Sequence, residues 1–568
     1  MAANHRVPPA LAFLCALCVS AVNSSHPATS HGPQATSHEP TPAEGLRPAG
    51  GSLIYGAGLI VRGLNPLLDR NGWNELSSAL LSRLFRVDHT GQIVGDLVED
   101  YRVSDDGLTY TLRLRPDLRW HDGAPCTADD ILFTWQKLFD PATATSLDLN
   151  LPMLRSFEKK TPREFVFHLR YPAAGFLAPL TEIPILPAHI LRDTDINSDA
   201  FDRNPIGTGP YKLVSRSESS EFVLARHADY HFGPPPEGSG PQGGPPPIAR
   251  LILRVIPDDD ARAAALARGE LHLTQVKPQH VARLRALPHL RLHRMRTGVW
   301  RGMPLNLRRP ALQDVRVRRA IDLAIDREAI VAGALAGFGT PAYSPIPPAS
   351  WAFDPALTRR RYPPDEAARL LDAAGWKQNA AGWRVRQGQV LELNVIVWQD
   401  ELFRRTAAEL IRQQLAPLGI RVILHRVDSA TYTRLADHMG TTYDTFIGGW
   451  SGLLDPGDNL GKKFHSRGSQ NYSGYNNPDV DRLLARVRVR ARTPQQRDTV
   501  RQLYRRLVAR LTADAVFLPL AYPDYVFAAD ARLADLDEFV CDSWYQFTQF
   551  AHEWRWQASD PRPATGDP

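Results

Sequence analysis

Leu391-Glu392-Leu393-Asn394-Val395-Ile396-Val397 is an apolar run of strand length, and the thirty residues after it decide the fold. Glu401 to Leu418 carries Leu402, Phe403, Ala407, Leu410, Ile411 and Leu415 on one helical face and stops at Gly419; Ile420 to Val427 is a second strand. Strand, helix and strand at this spacing form a βαβ crossover, because two parallel strands can be joined only by a long connection that packs back over the sheet.

On either side of that unit the sequence alternates between two periods. Asp314 to Leu335 has the spacing of a long amphipathic helix or a helix pair, Asp365 to Ala374 that of another ending at Gly375, and Arg497 to Ala513 that of a third. Toward the N-terminus the period shortens to two. Leu108 to Arg115 alternates apolar and polar residues after the turn Ser104-Asp105-Asp106-Gly107, and Arg163 to Arg170 repeats this with Phe165, Phe167 and Leu169 on one face. Between them Thr127 is placed to cap a helix bearing Ile131, Leu132, Trp135 and Leu138, with Asp129 and Asp130 in its first turn. The Pro/Gly-rich stretch from Gly233 to Pro247 reads as a surface loop.

A chain of 568 residues with 43% hydrophobic content needs several cores, which excludes both a disordered chain and a small disulfide scaffold. The formal charge is +6, carried almost wholly by arginine, since only 8 of the 67 basic residues are lysine. No run of consecutive basics exceeds Arg359-Arg360-Arg361, so no nucleic-acid partner is expected. Met1 to Ser25, with the apolar stretch Ala10 to Val22, has signal-peptide length and is too short to span a bilayer. Residues 26–50 turn to Pro, Ser, Thr, Gly and His and read as a disordered tether. Export is therefore expected. Leu14 and Leu17 precede Cys15 and Cys18 where a lipobox needs a small residue, which disfavours a lipid anchor. Cys126 and Cys541 read as buried free thiols, with pairing left open.

Catalytic signatures are missing: there is no HExxH, no Gly-x-Ser-x-Gly, no P-loop and no Gly-x-Gly-x-x-Gly. Gly449-Trp450-Ser451-Gly452 imitates a nucleophile elbow but has Leu453 in place of the last glycine. No catalytic residue, metal or cofactor is expected, and the chain does not read as an enzyme.

Five motifs spread over Gly51 to Trp554 carry a resemblance. The first runs from Asp96 to Pro116 through Glu99-Asp100-Tyr101 and Ser104-Asp105-Asp106-Gly107-Leu108-Thr109-Tyr110, continuing in Trp120-His121-Asp122-Gly123 and Thr127-Ala128-Asp129-Asp130. The others are Asn204-Pro205-Ile206-Gly207-Thr208-Gly209-Pro210-Tyr211, Asp314-Val315-Arg316-Val317-Arg318-Arg319-Ala320-Ile321, Ala324-Ile325-Asp326-Arg327, and Gly448-Gly449-Trp450. Together they resemble the family 5 extracellular solute-binding proteins, the dipeptide- and oligopeptide-binding subunits of ABC importers.

The resemblance implies an α/β, two-lobed periplasmic-binding-protein fold of Venus-flytrap type, with an extra β-rich subdomain on lobe I. It maps lobe I to residues 51–76, 205–303 and 521–568 with the C-terminal tail, the subdomain to 77–204, and lobe II to 304–520. The lobes would join at two crossings, near Met303-Pro304 and Pro519 to Tyr522. It further implies a monomer that captures a small peptide or peptide-like ligand by closure and delivers it to an inner-membrane permease with its ATPase. A metal chelate or opine-like solute is the alternative, and an exported enzyme or chaperone-like protein on this fold a more distant one.

For the ligand site the resemblance points to Trp450, Ser451 and Gly452. An indole offers a flat wall and one donor; the competing role for Trp450 is a core residue. The family commonly places an acid three positions after the Gly-Trp pair to hold a peptide ammonium, and here that position is Leu453. Asp455 could serve after a loop shift, or it could simply form a turn before Pro456. Arg404 and Arg405 follow the strand that ends at Trp398, and either could meet a ligand carboxylate or be a solvated helix residue.

Overall fold

The computed structural model describes residues 51–58, 63–68, 75–145, 151, 153–173, 175–217, 220–232, 244–357, 364–440, 442–451, 456–487, 494–536, 540–541 and 544–557. The leader, the tether, most of the 233–247 loop, and Gly452, Leu453 and Asp455 lie outside the described residues.

Strand, helix and strand occur where the periodicity places them. Glu392–Trp398 and Arg421–Val427 run parallel in unbroken register from Glu392 opposite Arg421 to Trp398 opposite Val427, joined by the helix Leu402–Leu415. Leu393, Val395, Val397, Ala407, Ile411 and Leu415 are buried against one another, which is the physical content of the apolar pattern. The stretch Asp314 to Leu335 is a helix pair, Val315–Ala324 and Arg327–Leu335. It breaks at Asp326, whose carboxylate caps the second helix by accepting from the Ala329 N–H at 2.9 Å.

The subdomain expected as β-rich is a four-stranded antiparallel sheet in the order Val98–Val103, Thr109–Leu114, Glu164–Leu169, Leu154–Thr161. The helix Ala128–Phe139 covers it through Trp135 and Ile131, both fully buried. Thr127 forms a reciprocal cap there: its hydroxyl accepts from Asp129 N at 3.2 Å, and Asp130 accepts from Thr127 N at 2.8 Å. Cys126 is a free, buried thiol.

Two further sheets organise the rest of the chain. The first has eight strands in the order Val540–Cys541, Leu290–Thr297, Tyr525–Asp530, Leu273–Val276, Ser52–Ala57, Arg250–Val255, Glu221–Arg226, Tyr211–Ser217, so it is built from segments distant in sequence. The second has four, in the order Gly339–Pro341, Phe517–Pro523, Trp300–Pro304, Gly448–Trp450. The residues at which the crossings were expected, Met303-Pro304 and Pro519 to Tyr522, sit inside strands of the second sheet. The chain leaves one sheet for the other at Gly298-Val299 and at Asp524, where strand pairing is interrupted. The two crossings lie side by side: Arg294 Nη2 is 2.6 Å from Asp524 Oδ2, and the Thr297 hydroxyl donates to Pro523 O at 3.1 Å.

Buried arginines fasten the helix pair Val315–Ala324 and Arg327–Leu335 to the end of the helix Pro494–Asp514 and to the strand Phe517–Pro523 that follows it. Arg318 donates to Asp514 O through Nε at 2.8 Å and Nη2 at 2.6 Å. Arg327, 1% exposed, donates to Pro519 O at 2.6 Å and pairs with Asp322. Guanidinium is suited to this because it offers five donors in a fixed fork and stays charged when buried. Arg318 and Arg327 of the motif from Asp314 to Arg327 thus brace the backbone at Asp514 and Pro519.

Candidate functional site

Strand pairing brings the site together. Gly448–Trp450 runs antiparallel to Trp300–Pro304, setting Trp450 opposite Trp300 and Gly449 opposite Arg301. The two glycines are required by close approach: a Cβ on Gly448 would stand 2.2 Å from the Trp450 ring, and one on Gly449 2.3 Å from Arg301 Nη1. Trp450 is half-buried, with its ring 5.0 Å from Trp300, 4.9 Å from Phe517 and 6.3 Å from Tyr472. It packs into an aromatic cluster while keeping one part accessible. Ser451 beside it is half-buried, and its carbonyl accepts from the Asn459 side-chain amide.

Trp398 and Arg404 meet as well. The Arg404 guanidinium lies between two rings, 4.9 Å from that of Trp398 and 4.6 Å from that of Tyr432, and the residue is only 9% exposed. It is thus no solvated helix residue. Burial, together with the nearby Arg301 guanidinium, pulls the Arg404 pKa down, although arginine remains charged. Glu401 faces both arginines, 3.6 Å from Arg301 Nη2 and 3.7 Å from Arg404 Nε. Its nearer bond is to the Arg404 backbone N–H, at 2.9 Å, where it caps the helix. Two guanidiniums share one carboxylate, and Arg404 Nε and Nη1 and Arg301 Nε have no hydrogen-bond partner among the described residues. The cluster keeps a net positive charge and spare donors.

A cavity of about 630 Å³ opens next to this cluster. One wall comes from the eight-stranded side, with Gln275, Lys277 and Asp259; the other carries Arg301, Asp400, Glu401 and Arg405, and Asp524 of the second crossing closes the end. Arg405 is exposed and donates to Gln399 O at 2.9 Å, so of the two candidate arginines it is the one that lines the cavity. Burial raises the Asp524 carboxyl above the usual carboxylate range, with Arg294 opposing the shift. Cationic and anionic groups face each other across an apolar floor, an arrangement that suits a zwitterionic or dipolar ligand held by both walls. Among the described residues, no group of three or more His, Cys, Asp or Glu side chains is arranged to hold a metal ion.

Arg301, Glu401, Lys277 and Tyr432 escaped sequence reasoning. Arg301 stands in a short strand with no periodic signal, and only its pairing with Gly449 places it against the Gly-Trp motif.

Comparison with known proteins gives a consistent result. The sequence profile of the bacterial extracellular solute-binding proteins, family 5 (middle), matches residues 92–471. Protein XP55 of Streptomyces lividans is 30% identical over 497 residues, 86% of each chain. The crystal structure of the oligopeptide-binding protein AppA from Bacillus subtilis with a nonapeptide superposes with a TM-score of 0.68 at 25% identity, covering 90% of this chain and 99% of that one. NikZ from Campylobacter jejuni in complex with Ni(L-His) superposes with a TM-score of 0.70 at 25% identity, covering 89% of this chain and 99% of that one.

Proposed function

The chain belongs to the bacterial extracellular solute-binding proteins of family 5, and from that premise we propose that it is the substrate-binding subunit of an ABC importer, capturing di- or oligopeptides or peptide-like solutes between its lobes. Among its relatives, AppA is named for oligopeptides and binds a nonapeptide, while NikZ holds a nickel–histidine complex. The family consists of binding proteins, and no helix among the described residues is long and apolar enough to cross a membrane. Export through Met1 to Ser25, a tether over 26–50, residence in the periplasm and handover to a permease with its ATPase belong to the same proposal. So does the division into lobe I (51–76, 205–303, 521–568), subdomain (77–204) and lobe II (304–520), with the crossings at Gly298-Val299 and Asp524 as the hinge.

The cavity beside these crossings carries the reading. Its volume falls in the range of about 300–1,000 Å³ occupied by small-molecule sites, and its walls come from both sheets. A ligand touching both walls stabilises the state in which they are close, which is the energetic basis of trapping. In this reading Arg405, with Arg301, Asp400 and Glu401, forms the second-lobe wall of the cavity; Trp398, Arg404, Trp450 and Ser451 belong to the cluster beside it, and Gly452 and Asp455 complete that side, with Asp455 as the ammonium partner in place of the acid missing at Leu453.

Mass spectrometry of the small molecule that co-purifies with the protein identifies the solute, and tryptophan fluorescence with a peptide series then tests the assignment. We expect a saturable shift with no product formed; turnover of the ligand, or no response to any peptide or to the co-purified solute, would refute the proposal. Asp455→Ala is expected to weaken binding of a free peptide by more than about tenfold, the loss of one charged contact, while sparing its N-acetylated form. Equal wild-type affinity for the two forms would remove Asp455 from that role.

A further inference from the structure

The excess positive charge of this protein has an address. Residues 478–514 hold ten arginines against four acidic residues, a formal +6 that equals the net charge of the whole chain. The rest of the sequence is therefore neutral on balance. The segment contains two helices, Pro478–Val487 and Pro494–Asp514, which pack against each other and bury Val480, Leu484, Leu503, Leu507 and Leu511 in one shared core. What they leave outward is Arg482 and Arg486 on the first helix and Arg505, Arg506 and Arg510 on the second, interspersed with alanine and glutamine. On the longer helix the described arginines run from Arg501 to Arg510, nine residues that at 1.5 Å each make a basic strip of about 14 Å.

Part of this charge is locally balanced: Arg505 lies 2.9 Å from Asp354 and Arg510 2.9 Å from Asp514, and Arg482 pairs with Asp479. Arg486 and Arg506 have no carboxylate partner among the described residues. An independent feature lies at the rim. Trp351 is 40% exposed, its ring is 5.6 Å from that of Tyr504 in the longer helix, and its carbonyl accepts from Arg501 Nε and Nη2, both at 3.3 Å. A protein-binding patch is centred on buried aromatic anchors; here the centre is arginine and alanine, and the one large aromatic is peripheral. That composition fits a layer of phosphates with an apolar boundary below it, since guanidinium pairs with phosphate in a fork geometry and exposed tryptophan favours the headgroup region.

We infer that the outer face of the 478–514 helix pair docks on bilayers containing anionic phospholipid, with Arg486 and Arg506 engaging headgroup phosphates and Trp351 at the membrane interface. Each basic residue at such a surface raises partitioning about fivefold. The absence of large apolar residues from the basic strip makes the attachment peripheral and sensitive to salt.

The test is co-sedimentation of the full chain with vesicles of phosphatidylcholine alone or mixed with phosphatidylglycerol, at low and high salt. We expect binding to the mixed vesicles only, weakened by salt. R486E/R506E should lower it at least about twentyfold, whereas R102E/R283E, the same charge change at exposed positions elsewhere, should leave most of it. Because a reversed charge could disturb the helices, R486Q/R506Q is run alongside and circular dichroism confirms folding. W351F should lose quenching by brominated lipid. Equal binding to both vesicle types, no vesicle binding at all, as an acidic protein partner would give, or equal losses in the two charge-reversed variants would each overturn the inference.

Discussion

Acid should loosen this protein at the junction of the subdomain with the first lobe, and His121 gives the size of the effect. Both of its ring nitrogens are engaged by one short segment: Nδ1 accepts from Gly207 N at 3.1 Å, and Nε2 donates to Gly209 O at 3.1 Å. The backbone N–H of His121 donates to Gly207 O at 2.8 Å. Gly207 cannot be larger, because a Cβ would stand 1.8 Å from Leu80 O. A proton on Nδ1 would turn its hydrogen bond into two opposed donors. It would also place a charge beside His227, whose ring is 4.9 Å away and donates to the same Gly209 carbonyl. Burial first, and His227 and Lys212 after it, lower the His121 pKa from the ordinary 6.5 to about 3, with Gly209 O and Asp122 opposing the shift.

A histidine held neutral in the fold supports stability fully above its unfolded pKa and loses that support as pH falls below it. Each pH unit in the window between the two values costs about 1.4 kcal/mol, so at pH 5 the loss is about 2 kcal/mol. Discounted for the partial solvent access of the ring, it is about 1–2 kcal/mol. Urea unfolding of wild type and His121→Asn at pH 7 and pH 5 measures it; asparagine retains an acceptor near the Nδ1 position but does not titrate. The variant should be less stable at pH 7 yet lose about 1–2 kcal/mol less than wild type between the two pH values. His552, whose pKa is also lowered, contributes equally to both proteins and cancels. An identical pH dependence in the two proteins would refute the reasoning.

Gly449→Ala should displace the Arg301 guanidinium and weaken solute binding about tenfold or more, as expected for displacement of a charged group, with a smaller change in melting temperature. Unchanged affinity would separate Arg301 from the site. Phe338, from the second lobe, is buried among Ala263, Val281, Leu284 and Val526 of the first, next to the crossing at Asp524. Phe338→Ala should remove up to about 3 kcal/mol of contact between the lobes and enlarge the scattering radius of the ligand-free protein, and an unchanged radius would exclude a role in holding them. Thr127→Ala should cost about 1 kcal/mol of stability through the lost cap; a loss below about 0.3 kcal/mol in urea unfolding would show the cap to be dispensable.

Several features were legible in sequence because the signal is local. The crossover at Leu391 to Val427, the alternation in Leu108 to Arg115 and the cap at Thr127 are each set by residues within a turn or a strand of one another. The motifs were legible as a set before their roles were. Trp120-His121-Asp122-Gly123 and Ile206-Gly207-Thr208-Gly209 turn out to clamp each other, and Arg318 and Arg327 to brace a distant strand, none of which spacing could convey. The basic strip of residues 478–514 was missed for a different reason. Its arginines are interspersed with other residues and only Arg505-Arg506 are adjacent, so no consecutive run announces them.

The sequence by itself determined the strongly periodic elements and the kinship, because hydrophobic period and turn chemistry act over a few residues. Tertiary structure decided the rest. Only strand pairing puts Arg301 against Gly449, and only packing closes Trp398 and Tyr432 over Arg404. The chain passes from one sheet to the other at Gly298-Val299 and at Asp524, because a chain can change sheets only where its backbone hydrogen bonds are released from one ladder before the next begins.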